Sequence, residues 1–346
     1  PKGILWTNDV FETLVSEWMV HLPLKKPPVH LCAAPMTHAA GCVALSMMGC
    51  GATNIIMSGV ELPDLMEKIE TYDVTHLFLP PTAIYIMLAH PDVRNYDYSS
   101  LEYFIYAAAP MSVEKLREAI DVFGPVMTQT YGQAEAPMIC TYFSPEDHIE
   151  ALKTNKVHRL SSCGQPSILT PVEIMDDNEV ILPPGESGEI VVRGRLVMAG
   201  YYKNKAATEE VTTSNGWHRT GDIGHKDEEG YVYIVDRKKD MIISGGFNIY
   251  PSEIEQVIWT HPSVQDCAVI GIPDEKWGEA LTAVIELKPG SNLEESEIIE
   301  LCREELGGVK TPKTIELWDE LPRSAVGKVR KKDIRDHFWK DHGRRI

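Results

Sequence analysis

The stretch "DRKKDMIISGGFNIYPSEIE", residues 236–255, sets five consecutive charged residues against Met-Ile-Ile, a Ser-Gly-Gly turn and a helix start. An ordinary surface loop has no need of that combination. Ser252-Glu-Ile-Glu255 fits a capping box that opens a helix, with Ile254, Val257 and Ile258 as its apolar face. Downstream, strands are expected near 266–272 and 280–287, then a helix from about 294 to 306. Together they predict a compact α+β unit of about 100 residues, within the usual domain range.

Upstream of the stretch the texture differs. Short apolar runs predict strands at 29–33, 52–57, 75–79, 103–107 and 126–130, with helices between them. Leu62, Leu65, Met66 and Ile69 recur at helical spacing. So do Val113, Leu116 and Ile120, with Ser112 as N-cap. Alternating β and α units predict an α/β fold with a mostly parallel sheet covered on both faces. From about Val172, "VEIMDD", "GEIVVRG" and "GYVYIVD" predict short strands between Gly, Pro and Asp turns, a β-rich subdomain.

Composition narrows the function classes. With 346 residues the chain suggests two domains, and 43% hydrophobic residues can build a large core. A net charge of −18 excludes generic nucleic-acid binding. Residues 321–346 nevertheless hold nine Lys/Arg against three Asp/Glu. That basic tail is either a solvated helix face or a local anion site. Seven scattered cysteines, with no Cys-x-x-Cys pair, predict a reduced, cytoplasmic protein rather than a disulfide or zinc framework. Residues 27–60 hold no Asp, Glu, Lys or Arg, but Pro35, Gly41, Gly49, Gly51 and Asn54 interrupt them. No transmembrane segment is therefore expected, and no signal peptide.

Several segments offer chemistry. "YAAAP" and "TYGQAEAP" stand at the carboxyl ends of expected strands, where open α/β sheets bind ligands. The small side chains of Ala107, Ala108 and Ala109 admit a flat ring, or serve tight packing. Tyr131 offers an aromatic face, Gly132 a sharp turn, and Glu135 a carboxylate suited to Mg²⁺ or simply to solvent. "GWHRTGDIG", residues 216–224, places Asp222 in a Gly-flanked turn, able to accept from two sugar hydroxyls or merely to shape the turn. Lys328, after Gly327 near the end, is a point charge for phosphate or a surface lysine. The Walker A spacing is absent.

In order and spacing these segments resemble the adenylate-forming superfamily, in its acyl- and aryl-CoA synthetase branch. "YGQAEAP" is similar to that family's YGxTE motif. "GEIVVRG", "VMAGYYKN" and "GWHRTGDIG" are similar to its central signature. "DRKKDMIISGGFNIYPSEIE" is similar to its hinge motif and "PRSAVGKVRKK" to its C-terminal lysine motif. The resemblance implies a large αβαβα domain with a β-rich subdomain, residues 1–238, and a small mobile α+β lid domain, residues 239–346. It implies ATP-dependent activation of a carboxylic acid to acyl-AMP, followed by transfer to coenzyme A.

It also implies roles. Lys328 would bridge carboxylate and phosphate, and Glu135 would hold Mg²⁺. Ala107, Ala108, Ala109, Tyr131, Gly132 and Gln133 would border the nucleotide, and Asp222 and Arg237 its ribose. Lys239 matches the hinge. Gly245 and Gly246 match the pantetheine tunnel, and Trp277 a position that stacks on CoA adenine. His38 matches a position beside the acyl pocket. Two departures stand out. Ala134 occupies the place of the usual Thr. Pro1-Lys2-Gly3 resembles the end of the phosphate loop, Lys2 being its remnant, so an N-terminal part of the large domain is expected outside this chain. A non-catalytic nucleotide-binding module and a luciferase-like enzyme are the alternatives.

Overall fold

The structure, a computed structural model, describes residues 2–107, 111–154, 156–274, 276–324 and 329–340. Ala108, Ala109 and Lys328 lie outside them. The chain falls into two compact units, Pro1–Thr220 with Gly224–Ile234, and Gly221–Ile223 with Val235–Ile346.

The first unit opens with β1 (Ile4–Leu5) and α1 (Asn8–His21). A βα succession follows: β2 (Val29–Cys32), α2 (Ala39–Gly49), β3 (Thr53–Ile56), α3 (Leu62–Thr71), β4 (His76–Phe78), α4 (Pro81–Leu88), β5 (Tyr103–Tyr106), α5 (Val113–Phe123) and β6 (Met127–Gln133). Then come β7 (Ala136–Phe143), α6 (Pro145–Lys153) and β8 (Gln165–Pro166). The sheet order is β3-β2-β4-β5-β6-β7-β8. Strands β2 to β6 pair in parallel, whereas β7 and β8 are antiparallel. Neighbouring strand residues point to opposite faces. Leu31, Leu77 and Phe104 pack with Leu65, Ile69 and Ile84 on one face. Cys32, Phe78 and Ile105 pack with Leu14, Trp18, Val43 and Met47 on the other. This double cover is what a parallel sheet requires. Ser112 caps α5 as expected, its hydroxyl accepting from Lys115 N at 3.2 Å.

The β-rich elements are β9 (Val172–Met175), β10 (Gly188–Val192), β11 (Gly200–Tyr201), the short helix α7 (Lys205–Glu210), β12 (His218–Lys226) and β13 (Val232–Arg237). Four of the strands form a sheet in the order β13-β12-β10-β9, and β11 pairs with β1.

The second unit continues with β14 (Ile242–Ser244), β15 (Phe247–Ile249), α8 (Pro251–Ile258), β16 (Val264–Asp274), β17 (Gly278–Leu287), α9 (Glu295–Leu306), β18 (Thr314–Trp318) and α10 (Lys331–Trp339). Its sheet runs β15-β14-β17-β16, with β18 parallel to β17. Val269 and Ile285 face Ile254, Ile258 and Ile298 of α8 and α9. Ile270 and Val284 face Ile334 of α10.

Three local expectations are corrected. The strand ending at 130 runs on to Gln133 and turns back at once, with Gln133 paired to Ala136, so "YGQAEAP" is a hairpin tip. Asp222 lies within the nine-residue strand β12 rather than in a turn. Gly221 takes φ +73° there, a left-handed conformation that favours glycine. The capping box at Ser252 does not form: α8 starts at Pro251 after Tyr250 with no side-chain cap. The Ser252 hydroxyl donates instead to the Val235 carbonyl, and Glu255 turns inward. Proline at the first helical position suits a helix start, its fixed φ being already helical.

The first unit buries histidines. His30 and His76 are paired positions on β2 and β4. Burial, then the neighbouring His30, holds the His76 imidazole down at about 3. Burial likewise holds His148 at about 4. Each is lowered from an unfolded value near 6.5, so its contribution is full above pH 6.5. Below that the unfolded chain binds protons that the native state refuses, and stability falls by about 1.4 kcal/mol per pH unit per group. The urea midpoint should therefore hold from pH 8 to 7 and drop between pH 6.5 and 5, with His76→Gln shallower by one proton. A flat midpoint down to pH 5 would sink this account.

Candidate functional site

Four distant sequence segments meet at the β6–β7 tip. Gly132 cannot carry a side chain there, because an added Cβ would stand 2.5 Å from Met138 N. The two residues between the paired positions Gln133 and Ala136 are Ala134 and Glu135. The Glu135 carboxylate accepts from the Tyr201 hydroxyl at 2.7 Å, while its backbone oxygen accepts from Met198 N at 2.7 Å. Burial, then the carboxylate itself, pushes the Tyr201 phenol well above its ordinary value, so the phenol remains a donor. Tyr201 is in turn held by β1, with Ile4 opposite Tyr201 and Leu5 opposite Gly200. The Lys2 ammonium lies 4.4 Å from the centre of the Tyr201 ring, a cation–π contact. Trp6 Nε1 donates to the Ala134 carbonyl at 2.8 Å.

Beside this group, Gln133 Nε2 stands 3.2 Å from His218 Nε2. Burial lowers the His218 imidazole below its usual value, which suits a neutral ring accepting from the Gln133 amide. A cavity of about 340 Å³ opens nearby, lined by Met198, Thr208, Thr212 and His218 among others. No lysine or arginine is among its lining residues. Ala107 and Tyr131 are buried in one cluster. His38 is exposed at the start of α2, its Nδ1 3.0 Å from Thr37 Oγ1. No contact joins it to the Glu135 group among the described residues.

Glu135 fits a magnesium ion. One carboxylate oxygen is taken by Tyr201 and the other accepts nothing from the described residues. Mg²⁺ takes one or two carboxylates and completes its shell with water and phosphate. Among the described residues no group of three or more acidic, His or Cys side chains could hold a metal without such help.

The second unit gathers another set. Arg237 Nε donates to Asp222 Oδ1 at 2.7 Å, and the Asp222 side chain is 5% exposed against 51% for Arg237. A buried carboxylate thus holds an arginine whose outer edge faces solvent. Lys239 is exposed, and its carbonyl accepts from Arg335 Nη1 at 3.0 Å. Gly245 and Gly246 form the two-residue turn between β14 and β15, at φ +58° and +83°. Such hairpin turns need positive φ at both positions. An added Cβ on Gly245 would lie 2.8 Å from the Trp277 ring, while Gly246 faces open space. Trp277 is 40% exposed with the Lys276 ammonium 4.7 Å from its ring centre.

Residues 1–202 match the AMP-binding enzyme family, and residues 253–328 match the AMP-binding enzyme C-terminal domain. The chain belongs to the AMP-binding enzymes. It is 37% identical over its whole length to a medium/long-chain-fatty-acid–CoA ligase of Mycobacterium tuberculosis, of which it spans 60%. It is 36% identical over 98% of its length to a feruloyl-CoA synthase of Amycolatopsis, of which it spans 67%. The solved amide bond synthetase McbA of Marinactinospora thermotolerans superposes with a TM-score of 0.89 at 31% identity, covering 98% of this chain and 68% of that one. The fold expected from the motifs, a large α/β domain with a small C-terminal one, is thus the fold of this AMP-binding enzyme.

Sequence reasoning missed Tyr201, Trp6 and His218. The "VMAGYYKN" segment carried the signal for Tyr201, but nothing local said that its phenol meets a carboxylate 66 residues earlier.

Two variants test the glycine turn. Gly246→Ala should cost about 1–2 kcal/mol, the price of a left-handed conformation. Gly245→Ala should cost clearly more, because its Cβ also meets Trp277. Urea unfolding of both checks this, and equal costs would mean that the ring yields freely. Tyr201→Phe should lose about 1.5–3 kcal/mol, the usual worth of a hydrogen bond to a charged group, read in the same assay. An unchanged midpoint would show that solvent holds Glu135 equally well.

Proposed function

We propose that these residues serve an AMP-forming acid–CoA ligase acting on a fatty or aromatic carboxylic acid. The observation that carries this reading is the Asp222–Arg237 pair: the two side chains assigned by resemblance to the nucleotide ribose stand 2.7 Å apart, one buried and one half-exposed. The names of the two CoA ligases above support a CoA acceptor.

In the first half-reaction a substrate carboxylate oxygen attacks the α-phosphorus of ATP. The bond to pyrophosphate breaks and acyl-AMP forms. Two anions must approach, so positive charge and fixed orientation carry the catalysis. Lys328 supplies that charge, Asp222 and Arg237 hold the ribose, and Ala107 with Tyr131, Gly132 and Gln133 borders the base. The flanking Ala108 and Ala109 belong to the same border. Glu135, oriented by Tyr201, would hold Mg²⁺, which neutralises phosphate charge when bound. Lys2 adds a cation on the Tyr201 ring.

In the second half-reaction the CoA sulfur attacks the acyl carbonyl carbon, its proton departs, and the bond to AMP breaks. Residues 239–346 turn at Lys239, so that the side-chain-free turn at Gly245 and Gly246 admits the pantetheine arm and Trp277 meets the CoA adenine. His38 borders the acyl group.

The decisive assay is pyrophosphate release with ATP, Mg²⁺ and a panel of fatty and aromatic acids, in parallel sets with CoA or a primary amine. Release should depend on the acid, fall by at least about a hundredfold in Lys328→Ala, and yield thioester with CoA. Amide in place of thioester would reassign the acceptor. Asp222→Asn should weaken AMP binding by about ten- to a hundredfold, measured by calorimetry. Unchanged AMP affinity would remove the ribose assignment.

A further inference from the structure

Asp236 is a buried carboxylate that the proposed chemistry does not use. It stands at the end of β13, 8% exposed, directly before the half-exposed Arg237. Successive strand residues point to opposite faces. Asp236 therefore turns inward within the second unit while Arg237 turns to Asp222. A buried carboxylate needs hydrogen-bond donors on its oxygens, and here both oxygens have one. Oδ1 accepts from Arg237 N at 2.6 Å, and Oδ2 accepts from Ser252 N at 2.8 Å.

The second bond answers a need of the helix. α8 starts at Pro251 with no side-chain cap of its own. The first N–H groups of a helix have no partner within it, and that end favours negative charge. Asp236, 16 residues earlier in the chain, provides both the acceptor and the charge. The Ser252 hydroxyl adds a second tie, donating to the Val235 carbonyl. The end of β13 and the start of α8 are thus fastened side by side. Between them, Arg335 of α10 donates to the Lys239 carbonyl at 3.0 Å and to the Asp240 carboxylate at 2.7 Å. Arg237 consequently has two anchors. Its backbone N–H rests on Asp236, and its Nε rests on Asp222 at 2.7 Å. Asp222 holds one edge of the guanidinium, and Asp236 holds the point from which the side chain leaves the backbone.

We propose that Asp236 is a positioning residue for nucleotide binding, acting through Arg237. By fastening the Arg237 backbone to the start of α8, it sets where the free edge of the guanidinium meets the ribose. This rests on the ligase reading, in which Asp222 and Arg237 hold the ribose. Loss of Asp236 should then be felt only by a nucleotide that carries the ribose hydroxyls.

The test compares AMP with 2′,3′-dideoxy-AMP by calorimetry on the 346-residue chain. The variants are Asp236→Ala, Asp236→Asn, Arg237→Met and the double Asp236→Ala/Arg237→Met. The wild-type chain should prefer AMP by about ten- to a hundredfold, the worth of hydrogen bonds to charged groups. Asp236→Ala should weaken AMP binding by about ten- to a hundredfold and leave dideoxy-AMP within about threefold, so that the preference collapses. In the Arg237→Met background the same substitution should change AMP affinity by no more than about twofold, because residues that act through one contact do not add. Asp236→Asn keeps the shape but offers one carbonyl to two N–H groups, and should fall between. It decides the matter should Asp236→Ala fail to fold. Equal loss for both nucleotides, additive losses in the double variant, or unchanged AMP affinity would each assign Asp236 a structural role alone and overturn the proposal. A wild-type chain that binds AMP no better than dideoxy-AMP, or binds neither, removes the ribose reading itself, and the proposal with it.

Discussion

A carboxylate at the tip of a two-residue hairpin has no neighbour in its own turn to hold it, and Glu135 is such a carboxylate. Its orientation comes from one hydrogen bond, the Tyr201 phenol at 2.7 Å. A neutral donor on a charged acceptor makes a strong bond, and burial keeps that phenol protonated. Tyr201 owes its place to pairing with β1, and β1 also brings Trp6 to the Ala134 carbonyl and Lys2 to the Tyr201 ring. The arrangement uses one carboxylate oxygen for position and leaves the other without a donor among the described residues.

The second unit solves a different problem, how to place charged side chains around a sheet that must stay dry. Of the charged run at 236–240, Asp236 accepts from Ser252 N, Arg237 donates to Asp222, and Asp240 accepts from Arg335. Lys239 stands out to solvent, and its carbonyl accepts from Arg335. The charge density that marks the stretch in sequence is thus mostly a network with defined partners, set at the junction of a strand, a Gly turn and a helix. The Gly turn follows from contact as well as conformation, since the Trp277 ring occupies the space a Cβ would need at Gly245.

The order of strands and helices was legible because it depends on period. Apolar alternation and 3.6-residue spacing report which side of an element is buried, and Leu65, Met66, Ile69 and Leu116 are buried as those periods require. The errors share one cause. Ser252 and Glu255 have the spacing of a capping box, yet the hydroxyl goes to Val235 and the carboxylate to Lys331, partners 17 and 76 residues away. Asp222 stands among glycines that read as a turn, yet cross-strand pairing keeps the segment extended. Local propensity is worth a few tenths of a kcal/mol to about 1 kcal/mol, and tertiary pairing overrides it.

The sequence by itself determined the fold class, the double cover of the main sheet and the family, because these rest on periodicity and on ordered motifs along one chain. It also named Glu135, Asp222 and Arg237. Only the tertiary structure decided that Tyr201 holds Glu135, that Arg237 rests on Asp222, and that Glu255 faces Lys331. Hydrogen bonds and ion pairs act over about 3 Å, and which residues come that close depends on how separate strands and helices pack, a relation that spacing along the chain does not encode.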